Sequence, residues 1–269
     1  MKRNIFPSML AAAALAGVAA CSDSTAPSAA SLTTDQQVNA DVAQSAGDAV
    51  VLDLENMAGN ELSVGLPLAA PAGFQLFASN DPGMPAGITI TRSRTCYDAT
   101  NAVISCVPIS AVSSIHFLVS FTGSFARYID RGTGVTDTMQ ASIHRSRDWT
   151  LSGLQNTDST RQHDGVGTAA DTTYFSNKYR SRTAKELAID SAVAIVVKLP
   201  RATHPWPLSG SWIRNVNATV VVIANGATNT RTVQRRVVVT FPADNQGNVA
   251  LTVNGQACSL NLVTHKVTC

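Results

Sequence analysis

The sequence predicts a mainly β protein: a large antiparallel sheet, as a sandwich or curved half-barrel, with one N-terminal helix. Three observations carry this. From Ile88 to the end, apolar and polar residues alternate with period two, as on strands with one wet face. Before that point, residues 34–59 carry the one substantial helical pattern. Near the end, Gly247-Asn248 and Asn254-Gly255 mark the tight turns that join antiparallel neighbours.

The helix starts on a capping box. In Thr34-Asp35-Gln36-Gln37 the threonine is placed at N-cap with a glutamine three residues on, and Asp35 suits the positive helix end. Val38, Val42, Ala49 and Leu52 follow at helical spacing, and Gly59 is the expected stop. Residues 60–87, with Pro67, Pro71, Pro82 and Pro85, form an irregular connection to an antiparallel β domain over 88–269.

In that domain Ile88, Ile90, Arg92, Arg94 and Cys96 share one face. Ile115, Phe117, Val119 and Phe121 form the apolar side of a second strand. Val135, Met139, Ala141, Ile143 and Trp149 form that of a third. Ala192 to Val197, Val220 to Ala224 and Val237 to Val239 are apolar on both parities, which predicts central strands covered on both sides. Trp149-Thr150-Leu151-Ser152-Gly153 recurs as Trp206-Pro207-Leu208-Ser209-Gly210 and predicts a repeated corner with the indole under a glycine bend.

The chain begins with Lys2 and Arg3, an apolar run from Ile5 to Val18, and small residues before Cys21. That order reads as a signal peptide over 1–20, too short for a membrane span. Val18-Ala19-Ala20-Cys21 resembles the lipobox of bacterial lipoproteins. The resemblance implies cleavage before Cys21, lipidation of its sulfur, and a membrane as partner through the anchor. Ser22 follows the cysteine rather than an aspartate, which by the same resemblance implies delivery to the outer membrane, facing periplasm or cell surface. Residues 21–33 are Ser-, Ala-, Thr- and Pro-rich, the composition of a flexible tether.

Without Lys2 and Arg3 the chain carries 18 basic and 18 acidic side chains, a balance that argues against nucleic acid as a partner. The charges are segregated. Ser22 to Thr91 holds eight acids and no Lys or Arg, whereas the rest is basic in excess. Packing of the two segments on each other, with mutual neutralisation, is the simplest account.

Four further cysteines suit an exported chain. Cys96 and Cys106 flank the turn-rich Asp98-Ala99-Thr100-Asn101, and Cys258 and Cys269 bracket the final strand pair, so two local disulfides are expected.

Catalytic signatures are missing from the sequence. It has no Gly-x-Ser-x-Gly elbow, His-Glu-x-x-His helix, Ser-x-x-Lys or phosphate-cradling loop. The five histidines are dispersed. His163 or His144 with Asp164 or Asp148 is the remaining route to a triad, and Asp164, Asp171 or Asp244 to calcium ligation. No cofactor is implied.

The most chemically distinctive pattern is Arg-Ser-Arg, at Arg92-Ser93-Arg94, Arg145-Ser146-Arg147 and Arg180-Ser181-Arg182. On a strand both arginines of a unit project to one face. On neighbouring strands the six would form a stripe able to chelate an anionic lipid headgroup, unless Asp130, Asp137 and Asp148 neutralise it.

One helix on a large antiparallel sheet behind a lipid anchor is similar to the half-barrels of lipoprotein carriers and acceptors. That likeness implies an apolar ligand, a lipid for instance, between sheet and helix. The expected function is therefore a non-catalytic binding or structural role at the membrane. A surface-adhesion or glycan-binding module is the alternative, and a hydrolase with a dispersed site comes third.

Overall fold

A computed structural model of the chain describes residues 34–63, 87–130, 136–155, 158–177, 179–201 and 203–269. Residues 1–20 and 21–33, read above as signal peptide and tether, Cys21 among them, and most of the 60–87 connection lie outside these residues.

Helix α1 (Asp35–Ser63) precedes one antiparallel sheet. Its strands are β1 (Ile88–Tyr97), β2 (Val103–Ile104), β3 (Ser114–Asp130), β4 (Thr136–Ser152), β5 (Thr160–Ser176) and β6 (Arg180–Lys198). They continue as β7 (Ser209–Ala224), β8 (Ala227–Thr240), β9 (Asn248–Val253), β10 (Gln256–Asn261) and β11 (Lys266–Thr268). The order across the sheet is β11-β10-β9-β8-β7-β6-β5-β4-β3-β1-β2, an open meander. The mainly β class with one N-terminal helix is thus the observed architecture.

The helix forms where the capping box placed it. Thr34 Oγ1 accepts the Gln37 N–H at 3.3 Å, and the Thr34 carbonyl accepts that of Val38. Gly59 does not stop it; the helix runs to Ser63. Apolar and polar residues are distributed around it rather than sorted to one face. From Asp41 to Glu61 it is buried on nearly every side, Asp48 and Gly59 excepted. The sheet curves around the helix, since hydrogen bonds tie it to strands as distant as β1 and β10. Gly47 sits where a Cβ would come within 2.8 Å of Val267, so β11 lies directly on the helix.

Core side chains alternate in and out along the long strands. On β4 every second residue from Asp137 to Leu151 is buried. One apolar cluster joins the helix to β6–β10, including Trp212, Val220, Val237 and Leu260. A second joins Leu52 of the helix to Phe117, Phe121, Met139 and Phe175.

Both sheet edges are short strands of two and three residues, which offer little template for another chain. Each is stapled to its neighbour. Cys96–Cys106 ties the β1–β2 edge with Cα atoms 5.3 Å apart, and Cys258–Cys269 ties the β10–β11 edge at 4.1 Å. Asp98 shapes the first of these turns by accepting the N–H groups of Thr100 and Ala102.

Two local expectations are corrected. The strands apolar on both parities are central but are covered on one side only: Val193 is 46% exposed and Ile223 48%. Among the described residues the one α-helix is held on the inner side, and the second face is left open. The two Trp-x-Leu-Ser-Gly segments are not equivalent corners either. Trp149 is an inward residue of β4, whereas Trp206 lies in the connection before β7.

Candidate functional site

Four of the charged residues of the helix, Asp35, Asp41, Asp53 and Glu61, are met by the inner face of the sheet. Asp35, exposed in the first turn, pairs with Arg231 at 2.5 Å and Arg235 at 2.7 Å. Asp41 pairs with Arg182 of β6 at 3.0 Å, and Arg182 also reaches Asp137 at 3.1 Å and stacks over Phe175. Ser45 donates to Glu186 at 2.8 Å. Asp53 accepts Arg147 Nε at 2.9 and 3.0 Å and Trp212 Nε1 at 2.9 Å. Glu61 takes Arg161, His163 and Arg201. The contacts at Arg182, Glu186 and Trp212 fix the rotation and register of the helix, which runs in the same sense as β6.

The middle of this interface is a network of charges, all buried. Arg214 reaches Asp171 at 2.9 Å, Asp190 at 3.1 Å and Glu186 at 3.4 Å. Arg145 pairs with Asp171 at 2.8 Å and Arg147 with Asp190 at 2.7 Å. Three guanidiniums therefore face four carboxylates: Asp53, Asp171, Glu186 and Asp190.

Titration follows that imbalance. Burial pushes the Glu186 carboxyl up, against the opposing Arg214 charge. Burial also raises Asp53, with Asp190 adding to the effect and Arg147 opposing it. Both carboxyls therefore bind a proton more readily than a free carboxyl does. Burial works against the Arg214 charge as well, but Asp190, Asp171 and Glu186 outweigh it and hold its proton more tightly.

The Arg-Ser-Arg units are distributed accordingly. Strands β1, β4 and β6 are not neighbours; β3 and β5 lie between them. Arg145, Arg147 and Arg182 are buried with internal carboxylates as partners. Arg92 donates to Asn56 at 2.9 and 3.1 Å, Arg180 donates to Gln37 at 2.9 Å, and Arg94 lies toward solvent. Acids of the N-terminal segment, Asp41, Asp53 and Glu61, thus meet Arg182, Arg147 and Arg161 from inside, while Arg145 and Arg214 are met by acids of the sheet itself.

Among the residues that sequence reasoning missed are Arg161, Arg201, Arg214, Asp41, Asp53, Glu61 and Asp190. A signal existed for some residues of this network: Arg145 and Arg147 share the parity of Ile143 and Trp149, which placed them on the core side.

The His–Asp pairings expected from the sequence do not form. His163 turns inward to Glu61, while Asp164 lies on the opposite parity and accepts the Ala194 N–H at 2.7 Å. Asp148 pairs with His116 on the outer face, one strand over, rather than with His144. Of the calcium candidates, Asp171 is engaged by two arginines and Asp244 closes a turn by accepting the N–H groups of Gln246 and Asn248.

The outer face carries two adjoining grooves. One, of about 680 Å³, crosses β1 and β3–β6 over Thr91, Leu118, Ser146, Val166, Thr168 and Ile189. The other, of about 750 Å³, continues from Thr168 and Ile189 past Leu187 to the amides of Asn215, Asn217, Gln234 and Asn254. Leu118, Val166, Leu187 and Ile189 are each about half exposed or more, at 49, 55, 66 and 58%. Apolar contact along the first groove and paired donors and acceptors in the second are what this face offers chemically.

Comparison with known proteins returned no match: no family model, no curated protein and no solved structure is detectably similar to this chain.

Proposed function

We propose that the chain is a membrane-anchored extracytoplasmic lipoprotein with a non-catalytic binding role, whose ligand lies along the outer face of the sheet. The carrying observation is the continuous groove over Leu118, Val166 and Ile189, on the side of the sheet away from the helix. The inner side, where a carrier would hold its cargo, is taken up by α1 and its ion pairs. The lipobox-like Val18-Ala19-Ala20-Cys21 supports the anchor, and the apolar floor of the groove supports a ligand with an acyl or comparably apolar part.

A glycan is the second reading, favoured by the amide-rich lining at Asn215, Asn217, Gln234 and Asn254. The test uses a soluble Cys21→Ser chain and a fluorescent fatty acid. Saturable binding that falls about tenfold in Val166→Asp/Ile189→Asp, roughly 1.4 kcal/mol, is expected. Binding indifferent to that pair removes the groove from the reading. Retention of Cys21→Ser in the membrane fraction removes the anchor.

A further inference from the structure

The exposed Asp35 also meets two arginines but is open to solvent. Among the buried ion clusters of the helix, the last differs from the others in the sign of its imbalance. Glu61 is its one carboxylate. Its Oε2 accepts Arg161 Nη1, its Oε1 accepts His163 Nε2 at 2.9 Å, and Arg201 Nη1 stands 3.6 Å from Oε1. All four side chains are buried. Two guanidiniums thus share one negative charge before His163 is counted.

Three buried donors in this cluster have no acceptor: Arg161 Nε, Arg201 Nε and Arg201 Nη1. Among the described residues no further acid is paired with them. The cross-strand neighbours are Val197 of Arg161, and Ile195 and Leu151 of His163. Asp164 is turned to the outer face, where it serves Ala194 and Gln162.

A carboxylate surplus, as around Arg214, is met by taking up a proton. An arginine surplus has no such outlet, because the guanidinium keeps its proton throughout the accessible pH range. The partial negative charge at the helix C-terminus amounts to about half an elementary charge and leaves the surplus uncancelled. A buried uncompensated cation is among the most expensive features a fold can carry.

We propose that this cluster is a binding site for one small free monovalent anion, held between Arg161 and Arg201 by the guanidinium donors that Glu61 leaves unused. The ligand class is a halide or a one- or two-carbon carboxylate, the class that matches one unit of surplus charge and three donors buried away from solvent. The anion completes the charge balance at the helix end.

The test is thermal unfolding of the full mature chain in detergent, at ionic strength fixed with sodium gluconate, titrated with sodium bromide or sodium formate. A saturable rise in Tm of about 3 °C or more with at least one of the two is expected. Arg201→Gln, which removes the surplus charge, should abolish it. An effect no different from gluconate, or an equal rise in Arg201→Gln, overturns the proposal. Should Arg201→Gln fail to fold, bromide-soaked crystals of the unaltered chain decide by anomalous scattering. A peak within hydrogen-bonding reach of Arg161 Nε and Arg201 supports the site, and its absence overturns it.

Discussion

Arg147 on β4 and Asp190 on β6 are separated by a whole strand, yet the Arg147 Nη2 lies 2.7 Å from the Asp190 carboxylate. The residue between them explains how. Gly167 of β5 is the cross-strand partner of both, and a Cβ there would lie 2.6 Å from Arg147 Cδ and Nη1. The guanidinium passes over a strand because that strand has no side chain at the crossing. From there it donates to the Ser146 and Thr168 carbonyls at 2.9 and 3.1 Å.

Gly167→Ala should therefore act as a steric cut through the network. The displaced atoms belong to a fully buried side chain and to backbone, so relief by local rearrangement is limited. A loss of about 3 kcal/mol in urea unfolding is expected. Thr168→Ala, one residue on and exposed, should stay within about 0.5 kcal/mol and serves as the control.

Charge balance predicts opposite consequences for two neighbours. Arg214→Met leaves Asp171, Asp190 and Glu186 short of their shared cation and should cost about 3–5 kcal/mol. Glu186→Gln keeps the shape and the Ser45 contact while bringing carboxylates and guanidiniums to equal number. It should be neutral or stabilising at pH 7. Denaturation midpoints of the two variants against the unaltered chain check both.

The pH dependence has two limbs. Glu61 is buried, which opposes ionisation, but the His163 hydrogen bond and the His163, Arg201 and Arg161 charges prevail and lower its pKa from 4.5 to about 2. A lowered folded pKa means that the unfolded chain binds the proton more readily. The stability Glu61 contributes is thus present above pH 4.5 and lost as pH falls toward about 2. It amounts to about 3 kcal/mol. Glu61→Gln should flatten that acid limb. Glu186 is shifted up, so its contribution is present below pH 4.5 and declines as pH rises through the folded value. Glu186→Gln should remove that decline. Stability curves across pH measure both slopes, and an unchanged acid limb in Glu61→Gln would contradict the assignment.

Removal of either disulfide should loosen one edge and leave the fold standing. Cys96–Cys106 and Cys258–Cys269 close loops of sequence separation 10 and 11 at opposite ends of the sheet. Replacing one pair with alanine should cost about 2–3 kcal/mol. Hydrogen exchange should rise first at β2 in one variant and at β11 in the other, with β5 and β6 protected in both.

What the sequence determined by itself was local. The Thr34 cap, the Asp98 turn, both disulfides and the inward parity of Met139, Ala141, Ile143 and Trp149 follow from residues a few positions apart. Chain chemistry over that range fixes backbone geometry directly. The extent of the helix past Gly59 and the open outer face of β6 and β7 were decided by packing: a sheet wrapped on one helix buries that helix all round and leaves its own far side wet. The fate of the arginines was decided there too. Period two placed Arg145 and Arg147 on one face, but not the acids of α1 opposite them. Nor did it reveal the glycine that lets Arg147 cross β5. Buried acids of the helix find their partners far along the chain, Asp53 in Arg147 at a separation of 94 residues and Glu61 in His163 at 102. Such pairs exist only once the sheet has curved over the helix, because only removal from water makes each unmatched charge costly enough to demand its partner.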